Sequence, residues 1–231
     1  MDQYLSNNYN IYELSMIYDI NKRVVIDNFL SDEFAEYVYD DINRLPKHTW
    51  FNCVGFSNIK IEKRWKPINR KKHMMSNELA KKSFNHNQFA YSFKRNMGMR
   101  PGETSYVETI LRDIFSSNNL YNLIEDITGT KPQSYSQLFL SQYIKNCFLA
   151  PHSDINRGKF AFVLNLTRDW KPQYGGVLHF LDDKRENIVD SYVPKFNSLV
   201  IFEVPKGGIQ HFVSHVVHEN KKRFAITGWL N

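Results

Sequence analysis

Pro151-His152-Ser153-Asp154 places a histidine and a carboxylate two residues apart, just after an apolar run. In extended backbone, residues i and i+2 point to the same face, so one short segment can aim an imidazole and a carboxylate at one point. These are two of the three groups of a 2-His-1-carboxylate facial triad, a donor set that holds non-haem Fe(II) and leaves coordination positions open. An HxD triplet also arises by chance, as a surface loop with a hydrogen-bonded histidine, so its reading depends on what lies downstream. A third ligand must come from a distant strand, and the candidates are His179, His211, His215 and His218.

Around this stretch the hydrophobic period changes. Before it, Phe34, Tyr37, Val38, Ile42 and Leu45 recur at helical spacing behind a Ser31 N-cap and close at Pro46, which predicts a helix over 32–45. The capping-box pattern Ser105-x-x-Glu108 opens a second helix over 105–116, and a third spans 119–128 and ends at Gly129. From Ser134 the period becomes two. Strands are expected at 135–144, 159–167, 176–181, 187–192, 198–204, 211–217 and 223–230, divided by turn residues such as Gly175-Gly176, Asp182-Asp183 and Gly207-Gly208. Short strands at this spacing make a sandwich or barrel, and helices preceding them make the class α+β, with the helices on one face of the sheet. Residues 1–21 read as a loosely tied lead-in and 22–30 as a short strand and turn. Residues 47–102 read as loops with one short helix near 77–84 and an alternating Phe89/Tyr91/Phe93 strand, a region suited to a lid or substrate recognition.

Composition narrows the class. With 42% hydrophobic and 23% charged residues, the 231-residue chain is neither disordered nor fibrous and can bury one substantial core. Aromatics at 15% suit a bulky core or an aromatic-walled cavity. No apolar run approaches a membrane span, the N-terminus shows no secretory pattern, and Cys53 and Cys147 are expected as free thiols, so the expected location is cytoplasmic. The net charge of +6 is uneven: residues 60–100 alone carry +10. That field suits an acidic or macromolecular partner, but no nucleic-acid motif accompanies it, and a nucleic-acid ligand is not expected.

Taken in order, His152-x-Asp154, Trp170, Gly175-Gly176-Val177-Leu178, Pro194, Leu199-Val200-x-Phe202, His211-x-Val213-x-x-Val216 and Arg223-Phe-Ala-Ile-Thr-Gly-Trp229 resemble the Fe(II)/2-oxoglutarate-dependent dioxygenases. Within them the set is most similar to the prolyl-hydroxylase-like branch, which includes the ribosomal-protein prolyl hydroxylases. The likeness covers 135–231 and extends more weakly to Val24–Leu45. It implies a single domain over 1–231, with helical support and a substrate or lid region in 1–130 and a double-stranded β-helix (jelly-roll) catalytic core in 131–231.

The resemblance also implies roles. His152, Asp154 and His211 would hold Fe(II); His211 fits the distal position through Val213 and Val216 and its spacing to Arg223, with His215 as the alternative register. Arg223 would anchor the far carboxylate of 2-oxoglutarate, because a guanidinium fork pairs bidentately with a carboxylate and keeps its charge when buried. Along 223–230, Arg223, Ala225, Thr227 and Trp229 share one face and Phe224 and Ile226 the other. Tyr143, nine residues before His152, falls where relatives place a tyrosine reaching the co-substrate. Asn165 stands where some relatives carry a second tyrosine, and Thr227 is a further candidate for that pocket. The implied reaction consumes O2 and 2-oxoglutarate, releases succinate and CO2 and hydroxylates a C–H bond, with ascorbate as reductant. A carboxylate at Asp154 argues for hydroxylation over halogenation, since related halogenases carry a small residue there. The substrate expected from the branch is a prolyl or other residue of a protein or peptide. A free amino acid or small metabolite is the alternative, and a non-catalytic jelly-roll binding module is the third reading. The oligomeric state is not legible.

Overall fold

The computed structural model describes residues 3–56, 59–61, 70–96, 106–206 and 208–231. Its helices are α1 (Ile11–Asn21), α2 (Asp32–Arg44), α3 (Arg70–Asn85), α4 (Tyr106–Phe115) and α5 (Asn118–Thr128). Its strands are β1 (Arg23–Asp27), β2 (Trp50–Phe56), β3 (Ile59–Ile61), β4 (Ala90–Asn96), β5 (Tyr135–Tyr143), β6 (Phe148–His152), β7 (Phe160–Asn165), β8 (Leu178–Leu181), β9 (Ile188–Tyr192), β10 (Ser198–Glu203), β11 (His211–Val213) and β12 (Arg223–Leu230). Among the described residues the strands form one curled antiparallel sheet in the order β1-β10-β7-β12-β5-β4-β6-β11-β8-β9, with β2 and β3 added beside β4. This is the α+β class with a jelly-roll core that the sequence leads one to expect.

Strand alternation decides which residues go where. Phe160, Phe162 and Leu164 of β7, Leu199 and Ile201 of β10, and Phe224 and Ile226 of β12 turn outward and pack under α1, α2, α4 and α5. Phe115 stacks on Phe162 there, with ring centroids 4.3 Å apart. The opposite faces of the same strands, Ala161, Val163, Val200, Phe202 and Ala225, meet Leu178, Phe180 and Val213 from the other side of the curl. β12 lies between β5 and β7, so its backbone is held on both edges and its inward residues are fixed in place.

The two ends of the strand order are brought together by one ion pair. Arg23 on β1 donates through Nε to Asp190 on β9 at 2.8 Å, over the face of Phe180, and Tyr192 donates its hydroxyl to the same carboxylate at 2.6 Å. Burial opposes ionisation of Asp190, but these two donors outweigh it and hold the carboxyl below the usual carboxylate range. Arg23→Met is therefore expected to lower stability by about 1–2 kcal/mol at neutral pH, the scale of a partly buried charged hydrogen bond. A depressed carboxylate pKa stabilises above the unfolded value and loses its effect as pH falls through the folded one. The difference between wild type and variant in urea midpoint should thus vanish in acid, and a pH-independent difference would place the effect in packing instead.

The structure corrects the reading of the first 130 residues. Residues 11–21 are a helix, not a loose lead-in: Asn10 caps α1 by accepting from the Glu13 N–H at 3.3 Å. Tyr18 is its only buried residue, so no strong helical period marks it. Trp50–Phe56 is a strand paired along its full length with β4, and α3 begins at Arg70 instead of 77. α3 does not join the other helices but covers Val54, Ala90, Phe148 and Ala150 elsewhere on the sheet. Ser105, Trp65 and Gly207 lie outside the described residues, as do 62–69 and 97–100 of the basic stretch. Cys53 and Cys147 are buried and not disulfide-bonded. No helix among the described residues is long and apolar enough to cross a membrane.

Candidate active site

The Pro151-His152-Ser153-Asp154 segment owes its geometry to a register shift. β11 pairs with β6 so that His211 stands opposite His152 while Val213 stands opposite Leu149. β6 thus spends three residues where β11 spends two, which is a β-bulge, a device that re-aims a side chain. Pro151 sits inside it, where a residue lacking an N–H leaves no ladder donor stranded. Phe148 and Ala150 face α3, whereas Leu149 and, past the bulge, His152 face inward. The strand list drawn from the sequence omitted β6 because a five-residue segment containing a proline does not read as a strand. Asp154 follows two residues beyond the strand, in a turn closed by the Arg157 N–H donating to the Asp154 carbonyl at 3.0 Å.

Three potential ligands meet here. Asp154 lies between two imidazoles, with Oδ1 at 3.6 Å from His152 Nε2 and Oδ2 at 3.5 Å from His211 Nε2. All three ligating atoms fall within 4.8 Å of one another, and the two rings are 4.3 Å apart. Each histidine directs Nδ1 at a backbone carbonyl two residues earlier, His152 at Ala150 (3.1 Å) and His211 at Ile209 (3.0 Å). A carbonyl only accepts, so each Nδ1 carries the proton and each Nε2 presents its lone pair, as a metal ligand must. Burial and the neighbouring His211 push the His152 pKa down to about 4, which keeps that lone pair free at neutral pH. Burial opposes ionisation of Asp154, but the two imidazoles, His211 foremost, outweigh it and lower its pKa. The donor set suits a divalent metal with open positions.

The cluster opens on a cavity of about 360 Å³ whose lining includes Tyr143, Val163, Phe202, Arg223, Thr227 and Trp229. Arg223 is 2% exposed, and its Nε and Nη1 are buried without a hydrogen-bond partner. Burial lowers its pKa, and Tyr143, whose ring lies 5.1 Å from the guanidinium carbon and directly across the strand pair, opposes the shift. Gly176, at positive φ, brings its backbone close behind it; a Cβ there would stand 2.9 Å from Val216 and 3.5 Å from Arg223 Cδ. A guanidinium held this way, with donors pointing at nothing, fits a carboxylate from outside the chain.

Tyr143 is almost wholly buried and stacks on Phe93, and burial raises its pKa. Thr227 lines the cavity on the Arg223 face. Asn165 continues the inward series of β7 but does not line the cavity; its Nδ2 donates to Ser198 Oγ at 3.3 Å and its Oδ1 is buried without a partner. The other histidines go elsewhere. His215 stacks on Phe148 and meets Phe84, His179 accepts or donates at Ser191 and stacks on Phe212, and His218 packs against Tyr174. Sequence reasoning gave no role to Arg95, Phe139 and Arg157, which also line the cavity. Phe139 could have been found from the period of β5, since it lies two strand steps from Tyr143 on the same face; the arginines had no local signal.

Residues 138–231 match the profile of the 2OG-Fe(II) oxygenase superfamily. Over 146 residues, 61% of this chain, the sequence is 30% identical to prolyl 3-hydroxylase OGFOD1 of Xenopus laevis, covering 28% of that protein. Over 131 residues, 52% of this chain, it is 30% identical to prolyl 3,4-dihydroxylase OGFOD1 of Ostreococcus tauri, covering 26% of it. The chain thus spans little more than a quarter of the length of these curated relatives. The fold is similar to a 2OG-Fe(II) oxygenase-family oxidoreductase from Burkholderia pseudomallei, with a TM-score of 0.60 at 16% identity over 96% of this chain and 91% of that one. It is also similar to a prolyl hydroxylase from Trichoplax adhaerens solved with a hypoxia-inducible-factor peptide fragment, with a TM-score of 0.59 at 14% identity over 97% and 93% of the two chains.

Proposed function

We propose that this chain is a 2OG-Fe(II) oxygenase with the activity of an Fe(II)- and 2-oxoglutarate-dependent hydroxylase of prolyl residues in a protein or peptide. The observation that carries this reading is the convergence, in one cavity, of the His152, Asp154 and His211 donors with the buried and unpartnered fork of Arg223. The prolyl specificity is supported by the relatives, which are named as prolyl hydroxylases. The two free thiols fit a reducing, cytoplasmic setting.

His152 Nε2, His211 Nε2 and an Asp154 oxygen would hold the iron, and Arg223 would hold the 5-carboxylate of 2-oxoglutarate. When bound, metal and co-substrate supply the oxidising power that puts one atom of O2 into a C–H bond, with succinate and CO2 as co-products and ascorbate keeping the metal reduced. The chain's share is positioning and exclusion of water. Asp154 contributes one negative charge against the metal's two positive ones. The Nδ1 bonds to Ala150 and Ile209 fix both imidazole planes before anything binds. Tyr143 and Phe93 wall the guanidinium off from solvent, which strengthens its pairing with an incoming carboxylate. Phe89, Tyr91, Phe139 and Trp229 offer ring faces to an apolar substrate group.

Incubation of proline-containing peptides with the protein, Fe(II), 2-oxoglutarate and ascorbate under air tests this. The expected result is a peptide heavier by one oxygen atom, on proline, with succinate formed in equal amount. Hydroxylation of free proline in preference to every peptide would overturn the substrate assignment.

A further inference from the structure

We propose that Gly55 is a specificity-determining position of this site, an inference that rests on the hydroxylase reading above. By letting the Tyr91 ring lie over β2, it keeps open the space beside His152 that a substrate's target residue enters. Gly55 stands directly opposite Tyr91 in the β2–β4 ladder. Val54 and Ala90 turn outward under α3, so by alternation Gly55 and Tyr91 share the inward face. A Cβ on Gly55 would stand within 2.9 Å of Tyr91 Cε1, Cζ and Oη, and among the described residues these are its three nearest atoms. The end of the tyrosine ring therefore rests on the glycine's Cα. Gly55 is not at positive φ, so no backbone demand explains the residue. Glycine inside a strand is unfavourable, and its presence there marks the close approach of another group. Here that group is the Tyr91 ring.

The neighbours of the ring dictate where it goes if the glycine gains a side chain. On the other edge of β4, Tyr91 stands opposite Leu149, which lines the cavity. Along the strand, Phe89 lies 5.7 Å and Phe93 5.6 Å from the Tyr91 ring. Phe93 stacks on Tyr143, and Phe89 is tilted against the His152 ring at 5.8 Å. With an alanine in place of Gly55, β2 closes one side and the two phenylalanines close the ends. What remains is the space over Leu149 beside Phe89 and His152, inside the cavity. The displaced atoms are the far end of one side chain, so a change of rotamer suffices and the strand ladder keeps its register. The Arg223 end of the cavity lies beyond Phe93 and Tyr143 and is untouched. Side-chain size at position 55 thus sets how much room a target residue has beside the His152 cluster, without altering the groups that would hold metal or co-substrate.

The test compares the full chain as wild type, Gly55→Ala and Gly55→Ala with Tyr91→Ala. Each is examined by crystal structure, by Mn(II) and 2-oxoglutarate titration, and by fluorescence anisotropy of a labelled proline-containing peptide. In Gly55→Ala the Tyr91 ring is expected over Leu149, with metal and co-substrate affinities kept. Peptide affinity should fall on the order of tenfold, the scale of one methylene group too many in a binding pocket. Removing the ring in the double variant should restore most of that loss, a non-additive rescue that the loss of a ring contact cannot produce. A ring still over position 55 with β2 displaced instead, an unchanged peptide affinity in Gly55→Ala, or a double variant no better than Gly55→Ala would each overturn the proposal. So would a Gly55→Ala chain that fails to fold while the double variant folds, since the glycine would then serve packing alone. The crystal structure reads the ring without substrate or turnover. A displaced ring in a series that binds no proline peptide would keep Tyr91 as the gate and remove the prolyl reading. Equal oxidation of the peptide by wild type and Gly55→Ala, with the ring displaced, would do the reverse.

Discussion

Asp154→Ala is expected to weaken divalent-metal binding by roughly two to three orders of magnitude and to remove succinate formation to background. Asp154 is the shared element of the cluster, since both imidazoles face its two oxygens at 3.5–3.6 Å. Without it two neutral nitrogens remain, no anionic donor offsets the metal's charge, and the three-point geometry becomes two-point. His211→Ala should behave alike, because His211 is 4% exposed and pairs directly across from His152. The check is a Co(II) or Mn(II) titration beside a succinate assay on the same samples. His215→Ala provides the control: its ring stacks on Phe148 away from the cluster, so metal affinity should be kept even if stability falls. Coupled, wild-type turnover in Asp154→Ala would sink the assignment of this cluster.

Arg223→Met is expected to lose 2-oxoglutarate binding almost completely, yet to be at least as stable as wild type when no co-substrate is present. A buried guanidinium with unpartnered Nε and Nη1 donors is destabilising in the absence of an anion, and replacing such a group by an apolar side chain of similar length is often neutral or stabilising by about 1–4 kcal/mol. The Tyr143 ring offsets part of that cost in wild type. Adding 2-oxoglutarate should then raise the thermal midpoint of the metal-loaded wild type, with a gain of about 2.7 kcal/mol at a hundredfold excess over Kd, and leave the variant unmoved. Arg223→Lys should recover little, because a point-charge ammonium cannot form the paired N–H contacts of the fork. The opposite pattern, a destabilised variant that 2-oxoglutarate still protects, would make Arg223 a structural residue and place the co-substrate elsewhere.

Several features were legible in the chain because they depend on residues a few positions apart. The outward Phe224 and Ile226 and the inward Arg223, Ala225 and Thr227 follow from alternation alone, as do the amphipathic faces of α2 and α5. His152 and Asp154 read as a pair because two residues separate them, whereas His211 came ahead of His215 only through the resemblance to the dioxygenase pattern. α1 was missed because one buried tyrosine leaves no period, and β2 because its pairing with β4 is what makes it a strand.

Other features belong to the tertiary structure, because they depend on cross-strand register. The sequence by itself determined the chemistry available at His152, Asp154, His211 and Arg223, and the two-faced strands that carry them. Only the folded sheet decided that β6 bulges at Ala150-Pro151, and so that His152 turns inward opposite His211. It likewise decided that the fork of Arg223 is buried without a partner, and that the ring of Tyr91 lies over Gly55. Periodicity encodes which face a residue takes, a local property of backbone geometry. Where two faces meet is set by pairing between distant segments, and that pairing is selected by burial over the whole core.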